Sequence, residues 1–161
     1  MLSIAQETPA QHEVEQLLRR SDEHAASLYP VESNHLVDTQ ALMASNIRFF
    51  VARWASRAVG CGAMVIDHDD GSAELKRMFV DPTSRGRGVA RALLELIEEQ
   101  ARSLGLRQIL LETGVKSVEA LGLYRRRGYR ECGPFGSYGP DPQSVFMEKK
   151  LAIGDGASGG A

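Results

Sequence analysis

The fold is decided by residues 72 to 105, which read SAELKRMFVDPTSRGRGVARALLELIEEQARSLG. Ser72 to Val80 is predicted to be a strand, with Asp81-Pro82 as the stop signal. The later part predicts an amphipathic helix, because its apolar residues recur every three or four positions and Gly105 ends it. Between them lies RGRGVA, residues 85–90. A glycine-rich loop that opens a helix can hold a phosphate, because free N–H groups point outward and the helix dipole favours an anion.

The charges around this loop support a phosphate site. A helix start normally favours Asp or Glu, yet this one carries Arg85, Arg87 and Arg91, with no acid between Arg85 and Val89. The placement is unfavourable for an isolated helix and becomes favourable if a polyanion docks there. The alternative is a solvated basic loop in which glycine only turns the chain. The sequence contains neither GxxxxGK[ST] nor GxGxxG, so it predicts no Walker P-loop and no dinucleotide-binding turn.

The remaining segments predict one α/β (α+β) domain over residues 1–151. Runs rich in β-branched and aromatic residues predict strands, apolar residues at helical spacing predict helices, and Asp-Gly at 70–71 is typical of a hairpin turn. The predicted strands are 2–7, 47–54, 59–67, 72–80, 107–113, 129–132 and 144–151. Besides the helix after the glycine-rich loop, a helix is predicted to begin at Pro9, a short helix is predicted around 39–44, and another is predicted over 117–127. This order predicts a mixed sheet with helices packed on it. Residues 152–161 are rich in Gly, Ser and Ala and are expected to form a flexible tail.

Composition excludes several classes of protein. The 19 basic and 21 acidic residues nearly cancel, so nothing points to nucleic acid or an anionic membrane as a partner. No apolar run is long enough to span a membrane and the N-terminus does not resemble a signal peptide, so we expect a cytoplasmic protein. Cys61 lies in an apolar run and is expected to be a buried thiol. The four histidines are scattered, so no metal site is expected.

Three motifs, in matching order and spacing, resemble the GNAT superfamily of acetyl-CoA-dependent N-acetyltransferases. Arg85-x-x-Gly88-x-Ala90 matches the family's pyrophosphate loop, ELKRMFVDP at 74–82 resembles its central strand, and ALGLYRRRGY at 120–129 resembles its A-x-x-L-Y-x-x-x-G-[FY] segment. The resemblance covers residues 47–151 well and the first 45 residues only by element order. It implies a mostly antiparallel central sheet with helices on both faces. It also implies that two parallel strands, 72–80 and 107–113, splay apart around the pantetheine arm of CoA.

The same resemblance implies which residues bind acetyl-CoA. Backbone groups of Met78 and Val80 would pair with pantetheine as a missing strand would, and the amides of residues 87–90 would hold the pyrophosphate. Many family members have Asn where this chain has Ser117, which weakens one expected polar contact to the cofactor. The full implied set is Met78, Phe79, Val80, Arg85, Gly86, Arg87, Gly88, Val89, Ala90, Ser117 and Tyr124.

Acetyl transfer from a thioester to an amine needs a proton acceptor, a donor to the oxyanion and a general acid for the leaving thiolate. Glu74 is the candidate base: on a regular strand it shares a face with Met78 and Val80, although a bulge would break that parity. Its position also resembles the glutamate base of several family members. Glu112 and an ordered water are the alternative bases, and Glu74 can instead be a surface carboxylate that pairs with Lys76 or a neighbour. Tyr124 is the candidate acid, because the equivalent hydroxyl in the family lies near the CoA sulfur, and a backbone amide near Met78 is the expected oxyanion donor.

The acceptor is expected to be the primary amine of a small molecule, which attacks the thioester directly in a ternary complex. Two variable segments, 29–46 and 132–143, are expected to select it. The second contains Phe135, Tyr138 and Asp141, which suit a small amine that carries an apolar group. His35, in the first segment, is expected to be a surface residue. Acetylation of protein N-termini or lysines stays open, as do a CoA-binding sensor without turnover and a homodimer.

Overall fold

The computed structural model describes residues 1–30 and 38–152. His35 and residues 153–161 of the expected tail lie outside the described residues. Within the described ranges the chain forms the following elements in order: β1 (Leu2–Gln6), α1 (His12–Leu28), a 3-10 turn (Ala41–Met43), β2 (Ile47–Trp54), β3 (Arg57–Asp67), β4 (Ser72–Val80), a second 3-10 turn (Pro82–Ser84), α2 (Val89–Ser103), β5 (Gln108–Gly114), α3 (Val118–Arg126), β6 (Arg130–Cys132) and β7 (Ser144–Lys150). The predicted elements are therefore confirmed to within a few residues at their ends.

The strands form one seven-stranded sheet in the order β1-β2-β3-β4-β5-β7-β6. Every neighbouring pair is antiparallel except β4 and β5, which are parallel. The prediction of a mixed, mostly antiparallel sheet is confirmed. The single parallel pair arises because α2 carries the chain from the end of β4 back to the start of β5, whereas the hairpins return it directly.

Each face of the sheet has its own apolar core, so helices cover both faces. On one face, Leu93, Leu94 and Ile97 of α2 and Leu121 of α3 pack against inward-facing strand residues. On the other face, the buried stripe of α1, which includes Leu17, packs against residues of β2, β3 and β4. The spacing of these helical residues, three or four apart, is what places them on one side of each helix.

A β-bulge interrupts β4. Cys61 of β3 pairs with Phe79 and Ala63 pairs with Lys76, so one β3 residue lies opposite Arg77 and Met78. Arg77 adopts a left-handed backbone conformation, with φ of 59°, at this point. Because of the extra residue, each side chain after the bulge points to the opposite face from the one that regular alternation predicts.

Because of the bulge, the prediction that Glu74 shares a sheet face with Met78 and Val80 is wrong. Its neighbours Ala73 and Leu75 belong to the core under α2, so Glu74 points to the face of α1. Met78 packs against the α2 core, on the opposite face from Glu74. Phe79, three residues after Lys76, lies in the core of α1. Glu74 therefore shares its face with Phe79 rather than with Met78 and Val80.

The Arg77 side chain anchors α1 to this bulge. Its side chain is 2% exposed, and its guanidinium lies 2.6 Å from the Asp22 carboxylate and donates to the Leu18 carbonyl at 3.1 Å. The Cys61 thiol donates to the Arg77 carbonyl at 3.3 Å. Cys61 is fully buried, as expected, and burial raises the pKa of its thiol to about 12. These contacts tie α1 directly to the irregular part of β4.

The parallel strands separate where the bulge begins. β4 and β5 pair only from Ser72 opposite Gln108 to Leu75 opposite Leu111, while β5 stays paired with β7 as far as Gly114. The second half of β4 therefore has no strand beside it on the β5 side. The splayed pair implied by the sequence is confirmed, and it opens a gap through the middle of the sheet.

In the described part of the chain, no helix has both the length and the apolar character needed to cross a membrane. The His, Cys, Asp and Glu side chains of the same residues form no group of three or more that could bind a metal ion.

Candidate active site

A cavity of about 900 Å³ fills the gap between the splayed strands. Its walls come from α1, β4, the loop before α2, β5, α3 and the β6–β7 loop. It is lined by every residue that the sequence placed in the site, Arg87 excepted: Glu74, Met78, Phe79, Val80, Arg85, Gly86, Gly88, Val89, Ala90, Ser117, Tyr124 and the alternative base Glu112. Residues more than 40 positions apart in the chain therefore meet at one place.

The loop before α2 has the shape that an anion requires. Gly86 and Gly88 have φ of 80° and 78°, a left-handed conformation that glycine adopts without the steric cost of a side chain. A Cβ at either position would meet no protein atom within 4 Å, so the space beside the backbone is open. Gly88 is the N-cap of α2, no side chain caps that end, and the first turn contains no acid. These residues fit the pyrophosphate of CoA, since the N–H groups and the dipole of α2 remain for an anionic ligand.

The two loop arginines point in different directions. Arg85 lines the cavity, and its Nε donates to the Val80 carbonyl at 3.2 Å. The Arg87 guanidinium lies over the Trp54 ring, 5.4 Å from the ring centroid, and Arg87 does not line the cavity. The sequence pattern showed three arginines at a helix start and could not show which of them faces a ligand.

Glu74 lies in a three-membered polar cluster with Lys76 and Tyr138. The Tyr138 hydroxyl donates to Glu74 Oε2 at 2.5 Å, and Lys76 Nζ donates to the Tyr138 hydroxyl at 2.5 Å. Lys76 Nζ is also 3.4 Å from Glu74 Oε2, so the carboxylate is paired with a cation. The Glu74 side chain is 22% exposed and the Lys76 side chain is 15% exposed. This carboxylate is held in one orientation at the wall of the cavity.

Glu112, the alternative base, has a different partner. It lies on β5, one residue beyond the section that pairs with β4, and it is opposite Phe146 of β7. The Ser144 hydroxyl donates to Glu112 Oε2 at 2.7 Å. Two carboxylates from adjacent strands therefore border the same cavity, and each has its own hydroxyl donor.

Tyr124 enters the cavity from α3. The residue is 5% exposed, and its ring centroid lies 5.7 Å from that of Tyr129. Burial raises the pKa of Tyr124 well above its ordinary value, so the phenol stays protonated at neutral pH. The Tyr129 hydroxyl donates to the fully buried Glu98 at 2.9 Å, and this bond holds the neighbouring ring in place. Tyr124 is thus a protonated group at a fixed position in the cavity wall.

Comparison with known proteins decides the family. The model of the acetyltransferase (GNAT) family matches residues 11–129. The chain belongs to the GNAT family. An IAA acetyltransferase of Azospirillum brasilense is 53% identical over 150 residues, which are 93% of this chain and 98% of that protein. Like its relatives in that family, the protein is an acyl-CoA-dependent N-acetyltransferase.

Solved structures show the same GNAT fold. A Klebsiella pneumoniae protein assigned to the acyl-CoA N-acyltransferases is 33% identical, with a TM-score of 0.80 over 94% of this chain and 99% of the other. The spermidine N-acetyltransferase of Vibrio cholerae, solved with CoA and spermine, has a TM-score of 0.70 at 20% identity and covers 93% of this chain and 95% of that chain. The likeness to the second protein is one of fold alone.

Ser117 is hydrogen-bonded to Tyr29, the residue that follows α1. Its Oγ lies 2.9 Å from the Tyr29 hydroxyl. The Lys116 backbone N–H donates to the same hydroxyl at 3.0 Å, and Lys116 Nζ donates to the Leu28 carbonyl at 2.9 Å. We call this set of contacts between residues 28–29 and 114–117 the α1 latch. It joins the end of α1 to the β5–α3 loop across the cavity.

Gly114 is required by the α1 latch. A Cβ on Gly114 would overlap the ring and hydroxyl of Tyr29. We expect Gly114→Ala to displace Tyr29 and to lower the free energy of unfolding by about 1–3 kcal/mol, the usual cost of overpacking. Urea unfolding measures this loss. Gly133→Ala is the matched control, because its Cβ would meet nothing within 4 Å. The explanation fails if both variants lose the same stability, or if adding Tyr29→Ala does not reduce the cost of Gly114→Ala.

The structure adds cavity residues that the sequence did not single out. His24 lines it from α1, Tyr29 from the position directly after α1, and Gln143 from the β6–β7 loop. The last two lie at the ends of the segments 29–46 and 132–143, which were expected to select the acceptor, but neither was named individually. Gln143 Oε1 is buried and accepts no hydrogen bond from the described residues, so a ligand N–H can satisfy it. The helical pattern of α1 predicted its apolar stripe. It could not show which polar residue beside that stripe faces a cavity formed with β4 and β5.

Proposed function

We propose that this chain transfers the acetyl group of acetyl-CoA to a primary amine of a small molecule, by direct attack in a ternary complex. The observation that carries the proposal is the continuity of the cavity. One space runs from the uncapped N-terminus of α2 to the Glu74 carboxylate. A cofactor held at the first end and an amine held at the second can therefore be bound at the same time.

The cofactor's position follows from the unpaired part of β4. Beyond Leu75 this strand has no β5 partner, so the backbone groups of Met78 and Val80 are the ones to hydrogen-bond pantetheine. The amides at residues 87–90, with Arg85 beside them, bind the pyrophosphate. Acetyl-CoA supplies the activated thioester. The backbone amide near Met78, displaced by the bulge, is the donor to the developing oxyanion.

Two side chains move the protons in this proposal. Glu74 accepts the proton of the attacking amine, directly or through one water, and passes it to solvent. Tyr124 donates its proton to the departing thiolate as the carbon–sulfur bond breaks. Both carboxylates at the acceptor end, Glu74 and Glu112, attract an ammonium group to the cavity. Lys76 partly balances them, which favours an acceptor of low positive charge.

Removal of the Tyr124 hydroxyl tests the acid. Tyr124→Phe is expected to lower kcat by up to about 10²-fold, the low end for general acid catalysis, because a thiolate is already a tolerable leaving group. The affinity for acetyl-CoA should change little, and steady-state kinetics measure both quantities. Tyr129→Phe is the control, because its hydroxyl is committed to Glu98 and does not line the cavity. Full activity in Tyr124→Phe assigns the residue to packing.

The overall proposal is tested by release of the CoA thiol from acetyl-CoA. The acceptor panel contains 2-phenylethylamine, spermidine, lysine, an aminoglycoside, a peptide with a free N-terminus, and IAA, the compound in the Azospirillum relative's name. Release with a small primary amine and identification of its amide by mass spectrometry are the expected results. Turnover with the peptide alone favours protein acetylation. A melting-temperature shift with acetyl-CoA but no release with any compound favours a sensor without turnover.

A further inference from the structure

The packing of the Tyr138 ring does not depend on its hydroxyl. Its centroid lies 5.2 Å from that of Phe135 and 5.4 Å from that of Phe146, both in edge-to-face geometry. The Lys76 ammonium lies 5.1 Å from the same ring centroid. Edge-to-face aromatic pairs stabilise this kind of packing independently of any polar group on the ring. A phenylalanine at this position would therefore keep the ring and the loop where they are.

The Tyr138 hydroxyl is the link between Lys76 and Glu74. Lys76 has no acceptor atoms, so it donates to Tyr138, and Tyr138 must then donate its own proton to Glu74. Burial, followed by the hydrogen bond to Glu74, raises the pKa of Tyr138 above its ordinary value, so the phenol remains a donor at neutral pH. The two contacts fall on Glu74 Oε2. Neither contact involves the second oxygen, Oε1.

We infer that Tyr138 is a positioning residue for acetyl transfer: it fixes the Glu74 carboxylate through Oε2 so that Oε1 faces the incoming amine. The inference rests on the proposed role of Glu74 as the base. Without the hydroxyl, the carboxylate can rotate and pair with Lys76 alone, which turns it away from the amine. The β6–β7 loop thereby contributes to the reaction as well as to the wall of the acceptor site.

The structure provides a matched pair of hydroxyl deletions. Tyr138→Phe removes the donor to Glu74, and Ser144→Ala removes the donor to Glu112. If Glu74 is the base, only the first deletion should slow the reaction. If Glu112 is the base, the second deletion should slow the reaction instead. Ser144 does not line the cavity, so its effect on binding should be small.

The experiment measures kcat and KM for Tyr138→Phe, Ser144→Ala, Glu74→Gln and the Tyr138→Phe/Glu74→Gln double variant. The probe is 2-phenylethylamine, and hydrolysis of acetyl-CoA by water is a second readout that needs no amine. We expect Tyr138→Phe to lower kcat about 10-fold, the equivalent of about 1.4 kcal/mol, with KM for acetyl-CoA unchanged. Ser144→Ala should stay within about twofold of the wild type, well below one such tenfold step. In the Glu74→Gln background, Tyr138→Phe should cause no further loss, because residues that act as a unit are not additive.

Three outcomes overturn the inference. The first is a wild-type kcat in Tyr138→Phe. The second is a loss that persists undiminished in the Glu74→Gln background, which would mean that Tyr138 acts independently of Glu74. The third is a loss in Ser144→Ala in place of Tyr138→Phe, which assigns the role to Glu112. Failure of the proposed base is recognised separately, because Glu74→Gln alone then retains full activity. Failure of the proposed reaction is recognised by the absence of CoA release from the wild-type protein.

Discussion

Gly88→Val is expected to abolish the rise in melting temperature that acetyl-CoA produces in the wild-type protein. A ligand at 100 times its Kd stabilises a protein by about 2.7 kcal/mol, or roughly 5–11 °C for a chain of this length. Gly88 has φ of 78° and its Cβ would project into open space at the start of α2. In the proposed complex that space holds the pyrophosphate, so the valine side chain would stand between the phosphate oxygens and the amides.

The control for Gly88→Val lies at the other end of the same helix. Gly105 has φ of 79°, its Cβ would also meet nothing within 4 Å, and it does not line the cavity. Both variants force a β-branched residue into a left-handed conformation and should lose similar stability without ligand. Only Gly88→Val should lose the response to acetyl-CoA. Differential scanning fluorimetry makes the comparison. A retained response in Gly88→Val, or an equal loss in Gly105→Val, contradicts the assignment of the loop.

Glu74→Gln is expected to lower the rate by about 10²–10⁴-fold near neutral pH, the range for loss of a general base. The amide keeps the shape of the side chain and can still accept a hydrogen bond from Tyr138, but it cannot take the proton of the amine. The rate should recover partly at high pH. There the acceptor, whose pKa is near 10.4 if it resembles lysine, is increasingly present as the free amine. The pH–rate profile with the best amine of the panel is the deciding measurement.

Glu112→Gln is the control for this prediction. Glu112 borders the same cavity from the adjacent strand, and a hydroxyl also donates to it. If Glu74 is the base, Glu112→Gln should keep the wild-type pH dependence of kcat and raise only KM for the amine, because the Glu112 carboxylate then serves only to attract the ammonium group. A Glu74→Gln profile that overlays the wild type at every pH removes Glu74 from the mechanism. A loss in Glu112→Gln then moves the base to β5, and no loss in either variant leaves water as the base.

The shape of the glycine-rich loop at the proposed cofactor end was predictable because its signal is local in the sequence. The loop, its glycines and the first turn of α2 are consecutive residues, and the left-handed φ of Gly88 and the exposed N–H groups depend on those residues alone. The orientation of Arg87 was not predictable in the same way. It depends on Trp54, which lies more than 30 residues earlier and reaches the loop only through the sheet.

At the proposed acceptor end, the sequence analysis named Glu74, Glu112 and Tyr138 but not their arrangement. The predicted parity of Glu74 with Met78 failed because alternation along a strand holds only while the pairing is regular. The bulge is a property of two paired strands, seen in the register of β3 against β4. The hydrogen bond from Tyr138 to Glu74 joins residues 64 positions apart. No local pattern encodes such a contact.

The sequence by itself determined the element order, the mixed sheet, the glycine-rich loop before α2 and the family, because each follows from local periodicity or from a motif of adjacent residues. Only the tertiary structure decided which face of β4 carries Glu74, which oxygen of its carboxylate is already engaged, and that Ser117 bonds to Tyr29. These features depend on strand register and on side chains brought together by the fold. Register is set by the packing of the whole sheet, so the surroundings of Glu74 are defined only once the two cores are in place.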